Sequence, residues 1–205
     1  SDCSGGAGIQ ADLKAFSASE TFGMSVITSV VAENTTRVLS VFNVPVEEIQ
    51  KQIDAVFEDI HVDAVKLGML PTAEIISAVA DKLNEYKPSI IVCDPVMVAT
   101  SGDALSEGGT VSTMREKLFP IVTLLTPNIP EAEAISGLEI KNENHMEKAA
   151  RIIMDMGVKT SSSKAVISLA TLWIISVPQR AFISLPASVL IRLIPRALAV
   201  LCHLP

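Results

Sequence analysis

Ser89-Ile90-Ile91-Val92-Cys93 is apolar at every position after its serine, and it stops at Asp94-Pro95. A strand that is apolar on both faces must be covered on both faces, as strands are in a parallel sheet flanked by helices. The same pattern recurs along the chain. Residues 62–67 read as a strand that runs into Gly68, residues 121–125 run into Thr126-Pro127-Asn128, and residues 24–32 are apolar and β-branched. Segments of helical period lie between these runs. Residues 46–60 place Ile49, Ile53, Val56 and Phe57 on one face, with Glu47 and Glu48 in the first turn, where the helix dipole favours anions. Residues 72–86 follow Thr72 as N-cap, and further helices are expected at 110–118, 130–136 and 146–156. Residues 6–18 read as a glycine loop entering a helix with Ile9, Leu13 and Phe16 on one side. The expected fold is a three-layer α/β/α arrangement around a mainly parallel central sheet. In such folds ligands sit beyond the carboxyl ends of the strands, so the polar residues directly after each strand are the candidates for function.

Composition excludes several alternatives. A net charge of −7 and the absence of a basic stripe argue against nucleic acid as a partner. Cys3, Cys93 and Cys202 make no Cys-x-x-Cys pair and leave one over, which fits a reducing, cytoplasmic compartment. His61, His145 and His203 have no metal-ligand spacing. The chain opens directly on a glycine-rich loop, and such a loop normally follows a strand, so a strand is expected ahead of Ser1.

The composition changes at residue 160. All 23 acidic residues and all 10 glycines lie at or before Gly157, whereas residues 160–205 contain no Asp, Glu, Gly or Asn. The first 159 residues carry a net charge of −11 and the remainder +4. A membrane span needs about 20 consecutive apolar residues; the longest uncharged run here, residues 165–179, already contains Pro178. The expected organisation is thus a partial globular domain over 1–159 and an anomalous apolar tail over 160–205.

Four strand ends carry polar or glycine-rich motifs. The first is Ser1-Asp2-Cys3-Ser4-Gly5-Gly6-Ala7-Gly8-Ile9-Gln10-Ala11-Asp12-Leu13-Lys14. Its glycines allow close backbone approach to a ligand, but it lacks the Gly-Lys-Ser/Thr ending of a Walker A loop. Asp12 is either a ligand-binding carboxylate or an ordinary acidic residue near a helix start. The second is Lys66-Leu67-Gly68-Met69-Leu70, where Met69 on its own reads as core. The third is Asp94-Pro95-Val96-Met97, whose carboxylate could serve a metal-bound phosphate or a turn. The fourth is Thr126-Pro127-Asn128-Ile129-Pro130-Glu131, where Asn128 and Glu131 could hold Mg²⁺ through water or cap the helix that follows.

Taken in order, and joined by Val26-Ile27-Thr28-Ser29-Val30-Val31-Ala32-Glu33-Asn34-Thr35, these motifs resemble the hydroxymethylpyrimidine/phosphomethylpyrimidine kinases of thiamine biosynthesis. These enzymes form a branch of the ribokinase-like superfamily. The resemblance covers nearly all of residues 1–159. It implies a ribokinase-like three-layer α/β/α fold, here incomplete at both ends, and transfer of phosphate from MgATP to the pyrimidine precursor and its monophosphate. It also implies that Asp12 and the backbone around Ala7 and Gly8 hold the substrate hydroxymethyl and ring. Met69 and Val96 would line the pyrimidine pocket, and Asp94, Asn128 and Glu131 would serve ATP, with Asp94 and Glu131 on Mg²⁺. A small-molecule substrate, no membrane partner and a homodimer follow from the same resemblance.

The chain departs from the family pattern in three places. Glu33 stands where the family has Gln beside the pyrimidine, and Arg37 where it has Gly. The Lys-Gly-Gly-His strand end and the Gly-Thr-Gly-Cys-Thr loop, whose N–H groups form the anion hole, have no counterpart after residue 159. No catalytic residue is therefore assigned, and Cys202, set in Leu201-Cys202-His203 without a glycine, is not one. Loss of one base near codon 160 would explain the missing Gly, Asp and Glu together, since the shifted codon junctions permit both absent motifs in order. Out-of-frame translation with impaired activity is thus the expected reading of the tail. The alternatives are pyridoxal/pyridoxine kinase, a non-catalytic pyrimidine-binding remnant, and a kinase-like domain with a genuine membrane or partner anchor.

Overall fold

The structure, a computed structural model, describes residues 1–97, 109–161 and 199–202. Helix α1 (Gly8–Ala18) leads to strand β1 (Phe22–Ser25), then β2 (Ser29–Glu33) and β3 (Val38–Asn43). Helix α2 (Val46–Phe57), β4 (Ala64–Leu67), α3 (Ala73–Tyr86) and β5 (Ile91–Cys93) follow. Beyond them come α4 (Thr110–Thr113), which continues as a π turn and a 3₁₀ turn to Ile121, and then β6 (Leu124–Leu125). The remaining elements are α5 (Ile129–Ser136), α6 (Glu143–Asp155), β7 (Thr160–Ser161) and β8 (Ala199–Cys202).

Six strands form one sheet in the order β1-β8-β4-β5-β6-β7. Strands β4 to β7 are mutually parallel, as the doubly apolar runs predict, and β8 lies antiparallel between β1 and β4. Strand β7, just past the expected boundary at residue 159, pairs with β6. Most of the tail expected to be out of frame, residues 162–198 and 203–205, lies outside the described residues. No helix among the described residues is long and apolar enough to cross a membrane.

The two faces of the sheet are covered differently. Strand residues alternate sides, so Val65, Leu67, Ile91, Cys93 and Leu125 point one way and join the main core with Ile49, Ile53, Ile76, Val79 and Leu118. Ala64, Val92 and Leu124 point the other way, where they pack on Phe16 of α1 in a separate small cluster. Gly23 lets β1 approach this helix closely: a Cβ there would fall 2.8 Å from the Phe16 ring and 2.9 Å from Leu13.

The apolar run 24–32, expected as one strand, is two. The chain leaves the main sheet after Ser25, and the Gln52 amide of α2 then takes both backbone groups of Ile27. Its Oε1 accepts from the Ile27 N–H at 2.9 Å, and its Nε2 donates to the Ile27 carbonyl at 3.2 Å. Thr28 Oγ1 then donates to the Met69 carbonyl, and the chain re-enters regular structure as a separate antiparallel ribbon of β2 and β3. Strand β3 had no counterpart in the sequence expectation. The ribbon turns at Asn34, whose Oδ1 accepts from the N–H and hydroxyl of Thr36 and from the Arg37 N–H. Arg37 keeps a negative φ, so the turn does not require the glycine that the family pattern has at this position.

Candidate active site

Helix α1 carries Asp12 one turn before Phe16, so both face the sheet. On β4, Lys66 lies two residues beyond Ala64. On the neighbouring β5, Asp94 lies two beyond Val92, which is the register partner of Lys66. The alternation that builds the Phe16–Ala64–Val92 layer therefore builds a polar layer directly above it, at the carboxyl ends of the strands. Lys66 Nζ lies 3.1 and 3.2 Å from the two oxygens of Asp12, and the side chains are 1% and 0% exposed. Burial pushes the Asp12 carboxyl up to about 6 against the pull of Lys66, and the nearby charge of Asp94 adds to the rise. At neutral pH Asp12 is still mostly ionised.

The glycine loop in front of α1 is wound around Asp2. One carboxylate oxygen accepts from the Ser4 N–H at 2.7 Å; the other accepts from the Ser4 hydroxyl and from the N–H groups of Gly6 and Ala7 at 3.0, 3.0 and 2.8 Å. Gly8 has φ +59, and a Cβ there would meet the Ser1–Asp2 backbone at 2.9 to 3.0 Å, so only glycine fits without strain. In this conformation the Ala7 N–H is taken by the Asp2 carboxylate. The first-turn amides of α1 have no carbonyl partner within the helix.

The other expected site residues follow the strands as the sequence implies. Met69 is half-buried after β4, with its carbonyl held by Thr28. Asp94 is buried and Val96 half-buried after β5. Glu33 sits at a bulge in β2, half-buried; burial and the neighbouring Asp2 push its carboxyl up. Asn128 and Glu131 form a reciprocal capping box on α5: Asn128 Oδ1 accepts from the Glu131 N–H at 2.9 Å, and Glu131 Oε2 accepts from the Asn128 N–H at 2.8 Å. Of the two readings left open for this pair, capping is thus present. An Asn128→Ala substitution should cost about 1 kcal/mol, a loss of roughly 2–4 °C in Tm for a domain of this size. A thermal melt checks it, and an unchanged Tm would mean that Pro130 and the packing of α5 start the helix without the cap.

The donors present suit magnesium better than a metal that needs a full protein cage. Among the described residues no three His, Cys, Asp or Glu side chains converge as a metal site. Mg²⁺ typically takes one or two carboxylates, with substrate phosphate oxygens and water completing its shell. Asp94 and Glu131, both 6% exposed and each directly following a parallel strand or opening the next helix, fit that partial role.

Sequence reasoning gave Lys66 and Asp2 no role, although both are central to this geometry. The available signal for Lys66 was a lysine inside the strand Ala64–Leu67, every residue of which is buried.

A family model described as phosphomethylpyrimidine kinase matches residues 2–165. The chain is 46% identical over 159 residues to the hydroxymethylpyrimidine/phosphomethylpyrimidine kinase of Bacillus subtilis, covering 78% of this chain and 59% of that protein. Among solved structures, a phosphomethylpyrimidine kinase from Clostridium difficile superposes with a TM-score of 0.76 at 46% identity, covering 80% of this chain and 71% of that one. A pyridoxal kinase from Staphylococcus aureus, solved with AMP-PCP and pyridoxal, superposes with a TM-score of 0.72 at 36% identity, over 80% of this chain and 59% of that one. These neighbours share the ribokinase-like α/β fold expected from the sequence. The chain spans about three-fifths of the length of the Bacillus relative.

Proposed function

Because this chain belongs to the phosphomethylpyrimidine kinase family, we propose that it carries the substrate- and nucleotide-binding part of a hydroxymethylpyrimidine/phosphomethylpyrimidine kinase. The reaction is ATP-dependent phosphorylation of 4-amino-5-hydroxymethyl-2-methylpyrimidine and of its monophosphate, on the route to thiamine diphosphate. The observation that carries the reading is the buried Asp12–Lys66 pair beside Asp94, a charged layer at the strand ends where a fold of this type binds ligands.

In this reading Asp12, ionised at neutral pH, accepts from the substrate hydroxymethyl group. The start of α1 and Gly8 form the floor under the ring, with Met69 and Val96 as its apolar walls. Glu33 accepts from the ring amino group, which a carboxylate can do as well as the family's glutamine, although it cannot donate to a ring nitrogen. Asp94 and Glu131 would hold Mg²⁺, and Asn128 would stand beside the ATP phosphates. The metal, when bound, neutralises phosphate charge as it develops. The residues supply position and a water-poor setting. The partners are a small pyrimidine and, through the family, a second copy of the chain, in a cytoplasmic setting, with no nucleic acid or membrane. Turnover by these 205 residues should be impaired, because no glycine follows Gly157 to build an anion-binding loop. A single donor of that kind is worth roughly 10²–10³ in rate.

Pyridoxal phosphorylation is the second reading, favoured by the likeness to the Staphylococcus aureus enzyme. The test offers hydroxymethylpyrimidine and pyridoxal separately with MgATP, and measures binding by calorimetry alongside phosphate transfer. Pyrimidine binding with little or no turnover is the expected result. Tighter binding of pyridoxal would replace the pyrimidine reading. Fast turnover would overturn the expectation of impaired activity.

A further inference from the structure

Lys66 is an expensive residue to keep where it stands. It lies inside a strand whose four residues are all buried, its own side chain is 1% exposed, and it faces a carboxylate that is fully buried. Exchanging both members of a buried ion pair for apolar side chains is often no less stable, whereas removing Lys66 alone would strand a buried carboxylate. Packing therefore does not account for it. The ammonium reaches both oxygens of Asp12 at nearly equal distance, 3.1 and 3.2 Å, and so fixes the plane of the carboxylate. It does so from the rigid centre of the sheet, since Lys66 is flanked by β5 through Val92 and by β8 through Ala199. An aspartate on a helix has three χ1 wells; a two-oxygen contact to a cation anchored on a strand selects one.

We infer that Lys66 is a positioning residue that orients the Asp12 carboxylate toward the substrate hydroxyl, while Lys66 itself need not touch the substrate. The assignment rests on the proposed role of Asp12 as the acceptor of that hydroxyl. A favourable hydroxyl–carboxylate bond depends on angle as well as distance. An unfixed carboxylate would still occupy the pocket but would lose its preference for a ligand that carries the hydroxyl.

The experiment compares two ligands on two proteins by calorimetry. One ligand is hydroxymethylpyrimidine, and the other is its analogue with methyl in place of the 5-hydroxymethyl group. The full chain should prefer the hydroxymethyl ligand by at least roughly tenfold, a typical value for one charge-assisted hydrogen bond. In Lys66→Met the ratio should collapse to within about twofold, while binding of the methyl analogue changes little. A purely structural role would weaken both ligands alike and leave the ratio intact, and that result overturns the assignment. If Lys66→Met does not fold, Lys66→Gln, which keeps an amide donor but no charge, must also reduce the ratio to a few-fold at most. An undiminished tenfold preference in that variant is equally decisive against positioning. A full chain that binds both ligands without preference removes the role of Asp12 and the assignment with it. A full chain that binds neither ligand overturns the pyrimidine reading itself.

Discussion

Replacing Phe16 with alanine is expected to lower the unfolding free energy by about 3–5 kcal/mol, the largest effect of any single change considered. Phe16 is fully buried, and it is the large side chain that joins α1 to Ala64, Val92 and Leu124. The alternatives for filling its space are poor. Gly23 presents no side chain to the ring, and the cluster's other strand residues are too short to close over the gap. At about 2–4 °C per kcal/mol for a domain of this size, the Tm should fall on the order of 10 °C. The charged layer rests directly on this cluster, so ligand binding should weaken along with stability. A drop of only a few degrees would show that α1 is held mainly by its loop and by β1, and that the small core contributes little.

The second large effect is expected at Asp2. Alanine there removes the acceptor for the N–H groups of Ser4, Gly6 and Ala7 and for the Ser4 hydroxyl. Net hydrogen bonds are worth about 0.5–1.5 kcal/mol each, and more when the acceptor is charged. The loop is only part-buried, however, and water can replace some of them. A loss of about 2–3 kcal/mol is therefore expected, with pyrimidine affinity falling by more than tenfold as the loop changes shape. The pH dependence has a definite sign. Burial raises the Asp2 carboxyl, but the bonds from the Ser4 hydroxyl and from the Ser4, Ala7 and Gly6 amides outweigh it, so the folded value lies below the ordinary 3.8. The contribution of Asp2 is then fully present above that ordinary value and is lost as pH falls through the lower folded one. Urea denaturation of the two proteins should show a constant gap at neutral and mildly acidic pH that narrows in strong acid. A gap independent of pH down to the acid limit would mean that the carboxylate charge is not what holds the loop.

Much of this architecture was readable from the chain alone, because its signals are local. The runs at 62–67, 89–93 and 121–125 became parallel strands, Thr72 caps α3, and the spacing of Asn128 and Glu131 matches the start of α5. What escaped depends on residues far apart in sequence. The apolar run 24–32 carries no mark of its break, where Gln52, from 25 residues away, takes the backbone of Ile27. Asp12 and Lys66 are separated by 54 residues, and only the fold brings them together. The Val38–Asn43 strand was missed because its pattern resembles no half-buried strand: Leu39 and Phe42 are 60% and 65% exposed. The role of Asp2 was hidden for a different reason. A glycine-rich loop before a helix suggests open amides awaiting an anion, and nothing in the motif says that the anion is already part of the chain.

That internal anion has a thermodynamic consequence. A loop whose amides must find a ligand is mobile until the ligand arrives, and binding must then pay for ordering it. Here the ordering is completed during folding, since the Asp2 carboxylate satisfies three backbone donors before any substrate is present. The conformational entropy of this segment is charged to the stability of the protein and not to the affinity of the complex, so its amide protons should exchange equally slowly with and without substrate.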